Sequence, residues 1–374
     1  MASSAYGWLR PALFLLVIAV GLAATGSAES GAEPASMDEV YGQLLIVGFS
    51  GTTPDDPGVR QASEDLRRGL VGGLIVFERN VVDEAQLAAL LSHLRRVPSA
   101  QPPFLAIDQE GGAVQRLSRL DSLRGAPSAR WIAANASPGR AQALYGRMAR
   151  RMAALGFNLN LAPVVDLDFG WRSPVIGRLQ RSYGSDPDVV ARYAGAFVEA
   201  HRAHGILTAL KHWPGHGSSL ADPHFAVADV TDTWREIERT PFAALLKADQ
   251  ADMIMTGHMH HRDWGEGDGR PASLSPAAVQ LALRQKLGFE GVVVTDDLQM
   301  ESALAGRPLA EAIVLALAAG NDLVLIANML QYQPDAARYG IDAIKRAVAE
   351  GRLDAEALKR SYDRVVSLKQ RLRR

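Results

Sequence analysis

Eight short apolar runs, most of them followed by a longer stretch of helical period, constrain this 374-residue chain more than any other feature. The runs cover residues 44–48, 73–77, 104–107, 159–165, 207–210, 253–256, 291–295 and 322–326. Each is a strand's length, and most lie between amphipathic segments such as residues 84–95, 140–154, 189–204, 276–287 and 309–319, where apolar side chains recur three and four apart. Strand–helix alternation predicts a parallel sheet with helices outside it, and eight such units predict a closed (β/α)8 TIM-like barrel of α/β class. An open doubly wound sheet is the alternative, but no run leads into a GxGxxG or Walker loop. Two further helical segments, residues 336–350 and 354–373, end the chain. Their charge runs read as solvated faces, and the terminal arginines suit the negative end of a helix.

A hydrophobic fraction of 48% and a charged fraction of 22% are those of a globular protein, and no composition shift marks a second domain. One barrel domain over residues 37–374 is therefore expected. The net charge of −1 lacks the basic excess of a nucleic-acid binder. Residues 1–28 combine Arg10, an apolar run over 12–24 and small residues ending at Ala28, the pattern of a signal peptide. That run is shorter than the roughly 20 residues that span a bilayer, which makes an uncleaved inner-membrane anchor the second reading. Residues 29–36 read as a flexible tether, so the expected location is outside the inner membrane, periplasmic or secreted. With no cysteine, disulfides, thiol catalysis and an acylated lipoprotein cysteine are excluded.

In such a barrel the chemistry lies at the C-terminal ends of the strands. The third run ends in Asp108-Gln109-Glu110-Gly111-Gly112, with Arg116 beyond. The fourth is followed by Asp166, Asp168 and a loop carrying Arg178, Arg181 and Asp186-Pro187. The fifth runs into Lys211 and His212, which are costly at the end of a buried strand unless they bind or react. Beyond it, Asp222 two residues before His224 has the composition of an imidazole acid/base oriented by a carboxylate. Asp296, like Asp108, is placed to point into the barrel mouth, whereas Asp297 reads equally well as a helix cap. Asp166 and Asp168 read as structural ion-pair residues, Asp186-Pro187 as a helix start and Gly111-Gly112 as a turn. His258 reads as a histidine beneath the site, and His260 and His261 as solvated loop residues. These histidines, with His212, His216 and His224, raise a zinc-hydrolase reading, but spacing alone does not make them converge. No metal is expected.

Six segments carry a more specific signal: DQEGGAVQR over residues 108–116, NLNLAPVVDLD over 158–168, RSYGSDP over 181–187, KHWPGHG over 211–217, DPH over 222–224 and VVVTDDLQM over 292–300. In this order they resemble the single-domain bacterial β-N-acetylglucosaminidases of glycoside hydrolase family 3. The resemblance implies a retaining exo-glycosidase that removes terminal β-linked N-acetylglucosamine from glycans such as peptidoglycan fragments. It places the nucleophile on Asp296, the acid/base on His224 supported by Asp222, and sugar binding on Asp108, Arg116, Arg181, Lys211 and His212. It implies a carbohydrate substrate, no cofactor and no stable protein partner. Three positions depart from the family pattern. Pro223 stands where a small residue is usual, Ala113 where arginine is common, and Gln180 where asparagine usually precedes the arginine. A family 3 β-glucosidase is the competing enzyme reading, but those enzymes take an acid/base glutamate from a second domain. A non-catalytic envelope sugar-binding protein is the competing non-enzyme reading, and intact Asp296, Asp222 and His224 count against it.

Overall fold

The computed structural model describes residues 1–2, 36–265 and 267–373. Most of the segment read as signal peptide and tether lies outside the described residues. Among those residues no helix is long and apolar enough to cross a membrane.

Eight parallel strands close a barrel in chain order: β1 Leu45–Gly48, β2 Gly73–Val76, β3 Phe104–Ile107, β4 Leu159–Asn160, β5 Leu207–Trp213, β6 Met253–Thr256, β7 Val292–Asp297 and β8 Leu323–Ile326. The last pairs with the first through Leu45 opposite Val324 and Ile46 opposite Leu325. The predicted helices are present, among them Glu84–Arg95, Pro138–Leu155, Pro187–Arg202 and Leu309–Ala318. Five more helices among the described residues, Met37–Gly42, Pro57–Arg67, Ala129–Asn135, Thr240–Lys247 and Glu301–Leu304, lie outside the segments quoted from the sequence. Asp186 caps its helix by accepting from the Asp188 and Val189 N–H groups, with Pro187 in the first turn, as its sequence position predicts.

Strand alternation divides the apolar residues between two cores. Ile46, Ile75, Phe104, Ala106, Leu159, Ala209, Met253, Met255, Val292, Val294, Leu323 and Leu325 fill the barrel. Their neighbours Leu45, Leu74, Leu105, Leu210, Ile254, Val293 and Val324 face the surrounding helices. The helix Ala355–Gln370 adds Val365 and Leu368 to the inner core. Its Lys369 is not on a solvated face: it is fully buried, donates to Gln43 Oε1 and the Gly72 carbonyl at 2.6 Å each, and lies over the Phe104 ring. Burying that ammonium is tolerable only because it is paired in this way.

Two strand ends differ from the run lengths. β4 is short because the chain bulges past Asn160, with the Ala162 N–H donating to the Asn160 carbonyl at 2.8 Å, although the following residues stay bonded to β5 through Lys211 N–H to Pro163 O at 3.1 Å and Val165 N–H to Lys211 O at 2.7 Å. β5 is longer and carries Lys211 and His212 within the strand.

Candidate active site

The same two-residue alternation builds the site. Two residues beyond the inward Ala106, Ala209 and Val294 come Asp108, Lys211 and Asp296, so three charged groups enter the barrel mouth where the apolar filling ends. Lys211 is 2% exposed and places Nζ 2.7 Å from both Asp108 Oδ1 and Glu110 Oε1. Arg181 completes the cluster with a two-pronged pair to Glu110, Nε to Oε2 and Nη2 to Oε1 at 2.8 Å each. Arg181 reaches this point from the loop after β4. Gln180 before it sits at φ 58°, a left-handed conformation that asparagine tolerates better than glutamine.

His212 is fixed by Asp166, which is fully buried and accepts from His212 Nδ1 at 2.6 Å, from the His212 N–H at 3.0 Å and from the His216 N–H at 2.8 Å. With Nδ1 donating, Nε2 is left to accept from Arg181 Nη2 at 3.4 Å. Asp166 is thus structural, as expected, and sets the ring of a predicted sugar-binding residue. Asp168 is likewise structural, pairing with Arg130 and accepting from the Gly170 N–H at 2.8 Å.

Asp296 is partly exposed at the mouth, and its Oδ1 accepts from the Asp297 N–H at 2.8 Å. Burial alone would raise its pKa; His212, His258, Lys211 and that N–H outweigh it and hold the carboxyl below the usual range. Burial drops His258 to about 4, so at neutral pH that ring is uncharged and Lys211 remains as a cation beside Asp296. Asp297 behaves oppositely and is pushed up to about 7 by burial. It does not cap the following helix. Its Oδ1 accepts from the Gln299 and Ala327 N–H groups at 3.1 and 2.9 Å and ties β7 to the end of β8.

Asp222 and His224 lie on the loop after β5 and are far more open, with half of the His224 side chain exposed. Asp222 Oδ1 accepts from His224 Nδ1 at 2.8 Å and from the His224 N–H at 3.0 Å, leaving Nε2 unpartnered among the described residues. Ser302, just past β7, anchors the loop at both ends. Its N–H donates to the Pro223 carbonyl at 3.0 Å, and its Oγ accepts from the Ala228 N–H at 3.0 Å. Pro223, one of the departures, is therefore buried at a docking point. Arg116 stands apart from the charge cluster, with its guanidinium 5.6 Å from the Phe77 ring centre.

His258, His260 and His261 are engaged within the protein. His258 donates from Nε2 to the Asp297 carbonyl at 3.0 Å and has Nδ1 2.7 Å from Ser273 Oγ. His260 and His261 are not solvated. His260 is buried and bonded to the Ser302 carbonyl at 2.8 Å, and His261 stacks on Trp264 with ring centres 4.6 Å apart. Among the described residues no three or more His, Asp or Glu side chains are grouped to hold a metal.

Residues 36–368 match the glycosyl hydrolase family 3 N-terminal domain, a span that takes in every strand of the barrel and all eight predicted site residues. The chain belongs to glycosyl hydrolase family 3. It is 38% identical to the beta-hexosaminidase of Tolumonas auensis over 272 residues, covering 71% of this chain and 78% of that protein. Identity to the Pseudomonas aeruginosa beta-hexosaminidase is also 38%, over 76% of this chain and 82% of the relative. Among solved structures, a family 3 beta-N-acetylglucosaminidase from a Paenibacillus species superposes with a TM-score of 0.82 at 32% identity, over 91% of this chain. This chain spans 63% of the Paenibacillus protein. A beta-N-acetylhexosaminidase from Beutenbergia cavernae superposes with a TM-score of 0.80 at 29% identity, over 90% of this chain and 99% of the other.

In this family 3 barrel the residues that motif reading passed over are supports. Glu110, within the DQEGG segment, joins Lys211 to Arg181. Glu238 is fully buried below the loop after β5, with Oε2 3.4 Å from the Ser218 N–H. Burial first, then the nearby Asp166, push it up to about 7 from 4.5. Between those values the folded state holds a proton that the unfolded chain has released. This contribution to stability is complete below about pH 4.5 and is lost as the pH rises through 7. Glu238→Gln is therefore expected to flatten the fall in unfolding free energy between pH 5 and 8 by up to about 3 kcal/mol, read by urea unfolding at both values. The same pH slope in both proteins would contradict this.

Proposed function

We propose that this family 3 chain is an exo-acting β-N-acetylhexosaminidase that removes terminal β-linked N-acetylglucosamine through a covalent intermediate on Asp296. The carrying observation is the pairing of an ionised carboxylate at the barrel mouth with an open, carboxylate-oriented imidazole on the adjoining loop. The 38% identity to named beta-hexosaminidases over most of both chains supports the acetamido sugar.

In the first step Asp296 attacks the anomeric carbon while protonated His224 donates from Nε2 to the departing oxygen. Asp222 holds the ring by Nδ1 and stabilises the imidazolium. The sugar is then an ester of Asp296. Neutral His224 takes a proton from water, the water oxygen attacks the same carbon, and the β-sugar leaves with retained configuration. Asp108, Lys211, Arg181, His212 and Arg116 would bind the sugar hydroxyls and acetamide, so that binding energy favours the distorted, oxocarbenium-like transition state. The substrates proposed are peptidoglycan fragments or related glycans, met outside the inner membrane if residues 1–28 act as a signal peptide.

Hydrolysis of 4-nitrophenyl β-N-acetylglucosaminide beside the matching β-glucoside tests the substrate class. A preference for the acetamido sugar of about 100-fold or more is expected, because a site built for a polar group rejects the analogue that lacks it. A preference for the glucoside would contradict the assignment.

A further inference from the structure

Two adjoining hollows, of about 370 and 700 Å³, share Gly125, Ala126, Pro127 and Leu144 and form one groove. It lies between the loop after β3, the helix Pro138–Leu155 and residues 178–180 of the loop after β4. None of the eight predicted site residues lines it, and neither does any residue of the loop after β5.

One end of the groove is cationic. The helix Pro138–Leu155 carries Arg140, Arg147, Arg150 and Arg151 and no acidic residue. Arg150 and Arg151 follow Arg147 by three and four positions, so the three lie to one side of the helix, where like charges oppose its stability. Arg151 is offset by Glu84 at 2.9 Å, and Arg124, on the facing loop, by Asp121 at 3.0 Å. Arg147, Arg150 and, at the other end, Arg178 are exposed and form no ion pair among the described residues. The one acid on the lining, Glu110, is already engaged by Lys211 and Arg181. In a chain of net charge −1 this is a local cationic excess that suits an anion.

The other end is aromatic. Trp131 is 49% exposed there, with Leu179 38% exposed in the same hollow. An indole in this setting can take the C–H face of a sugar ring while guanidinium groups pair with an ionised substituent. Ala113, one of the departures from the family pattern, also lines this hollow, and its short side chain leaves room that an arginine would take.

We propose that this groove is a second, non-catalytic carbohydrate-binding site for a carboxylate-bearing glycan, with a sugar ring on Trp131 and carboxylates paired to Arg147 and Arg150. A chain of several units is needed to reach both hollows. Bound there, an acidic polysaccharide would hold the enzyme while the barrel mouth acts on free chain ends. The proposal does not depend on which glycosidic bond the mouth cleaves.

The probes are hexagalacturonate and its methyl ester, titrated calorimetrically against the full chain. The acid is expected to bind about tenfold tighter than the ester, the scale of two or three partly exposed ion pairs. That preference should shrink at about 1 M salt, where the screening length is near 3 Å. Arg147→Gln/Arg150→Gln should bring the ratio to about one, and Trp131→Ala should weaken both ligands by about fivefold, as expected for one lost stacking contact. All three side chains are exposed, and both variants should hydrolyse 4-nitrophenyl β-N-acetylglucosaminide at the parent's rate. Equal affinity for acid and ester, or a preference that survives the double variant, would overturn the site. Polyphosphate bound as tightly as hexagalacturonate, with no effect of Trp131→Ala, would reduce the groove to a general polyanion contact and overturn it as well. A chain that binds as expected yet hydrolyses no N-acetylglucosaminide would overturn the hydrolase assignment and leave this site standing.

Discussion

Asp296→Ala is expected to lower kcat on 4-nitrophenyl β-N-acetylglucosaminide by on the order of 10⁴-fold, the scale seen when a covalent catalyst is removed from an otherwise intact site. The reason is positional and electrostatic. Alternation along β7 brings this carboxylate to the mouth, and its surroundings hold it below the usual carboxylate range, so it is ionised at neutral pH. Alanine cannot form the ester, and water would have to enter a site shaped for attack from the protein. The fold should survive the change. Lys211 keeps Asp108 and Glu110, each at 2.7 Å, so no buried charge is stranded. Melting close to that of the parent, with turnover lost, is the expected pair of results; turnover within tenfold of the parent would remove Asp296 from the nucleophile role.

His224→Gly should have an effect that depends on the substrate. For a disaccharide, whose departing alkoxide needs a proton, kcat/KM is expected to fall by about 10²- to 10⁴-fold, the range of general acid catalysis. For a dinitrophenyl glycoside, whose leaving group departs as a stable anion, kcat/KM should change little, because it reports steps only through formation of the ester. Its kcat should still fall, since breakdown of the ester has lost its base. Added azide should then restore kcat and give the β-glycosyl azide. His224 is half exposed, so its removal leaves the packing intact, and equal losses of kcat/KM on both substrates would remove the residue from the acid role.

Much of this was legible in the sequence, for one physical reason. A charged residue that ends an apolar run at the C-terminal face of a parallel barrel marks the mouth; the runs are apolar on both faces, so the inward parity of Ala106 and Val294, which carries Asp108 and Asp296 inside, comes from the structure. What the runs could not supply either was any relation between different strands. Glu110 sits in a short strand, Gln109–Gly111, paired antiparallel with Val114–Gln115 beyond β3, and only the approach of Arg181 from another loop explains it. Ser302 and Glu238 hold the β5 loop from distant parts of the chain and lie in no recognisable motif. His260 and His261 resembled loop residues because their cover is tertiary, a two-residue strand pairing with Ala228–Asp229 and a cluster formed with Trp234 and Trp264. Lys369 misled in the same way: a lysine in a charged helix reads as solvated until the base of a barrel supplies its acceptors.

If the sugar is carried on Asp296, incubation with 5-fluoro-N-acetylglucosaminyl fluoride, which lets the ester form and slows its breakdown, should leave one added fluorosugar on the peptide containing Asp296 by mass analysis, and none in Asp296→Ala. A label on another residue, or release of fluoride in turnover that gives the inverted sugar, would contradict it.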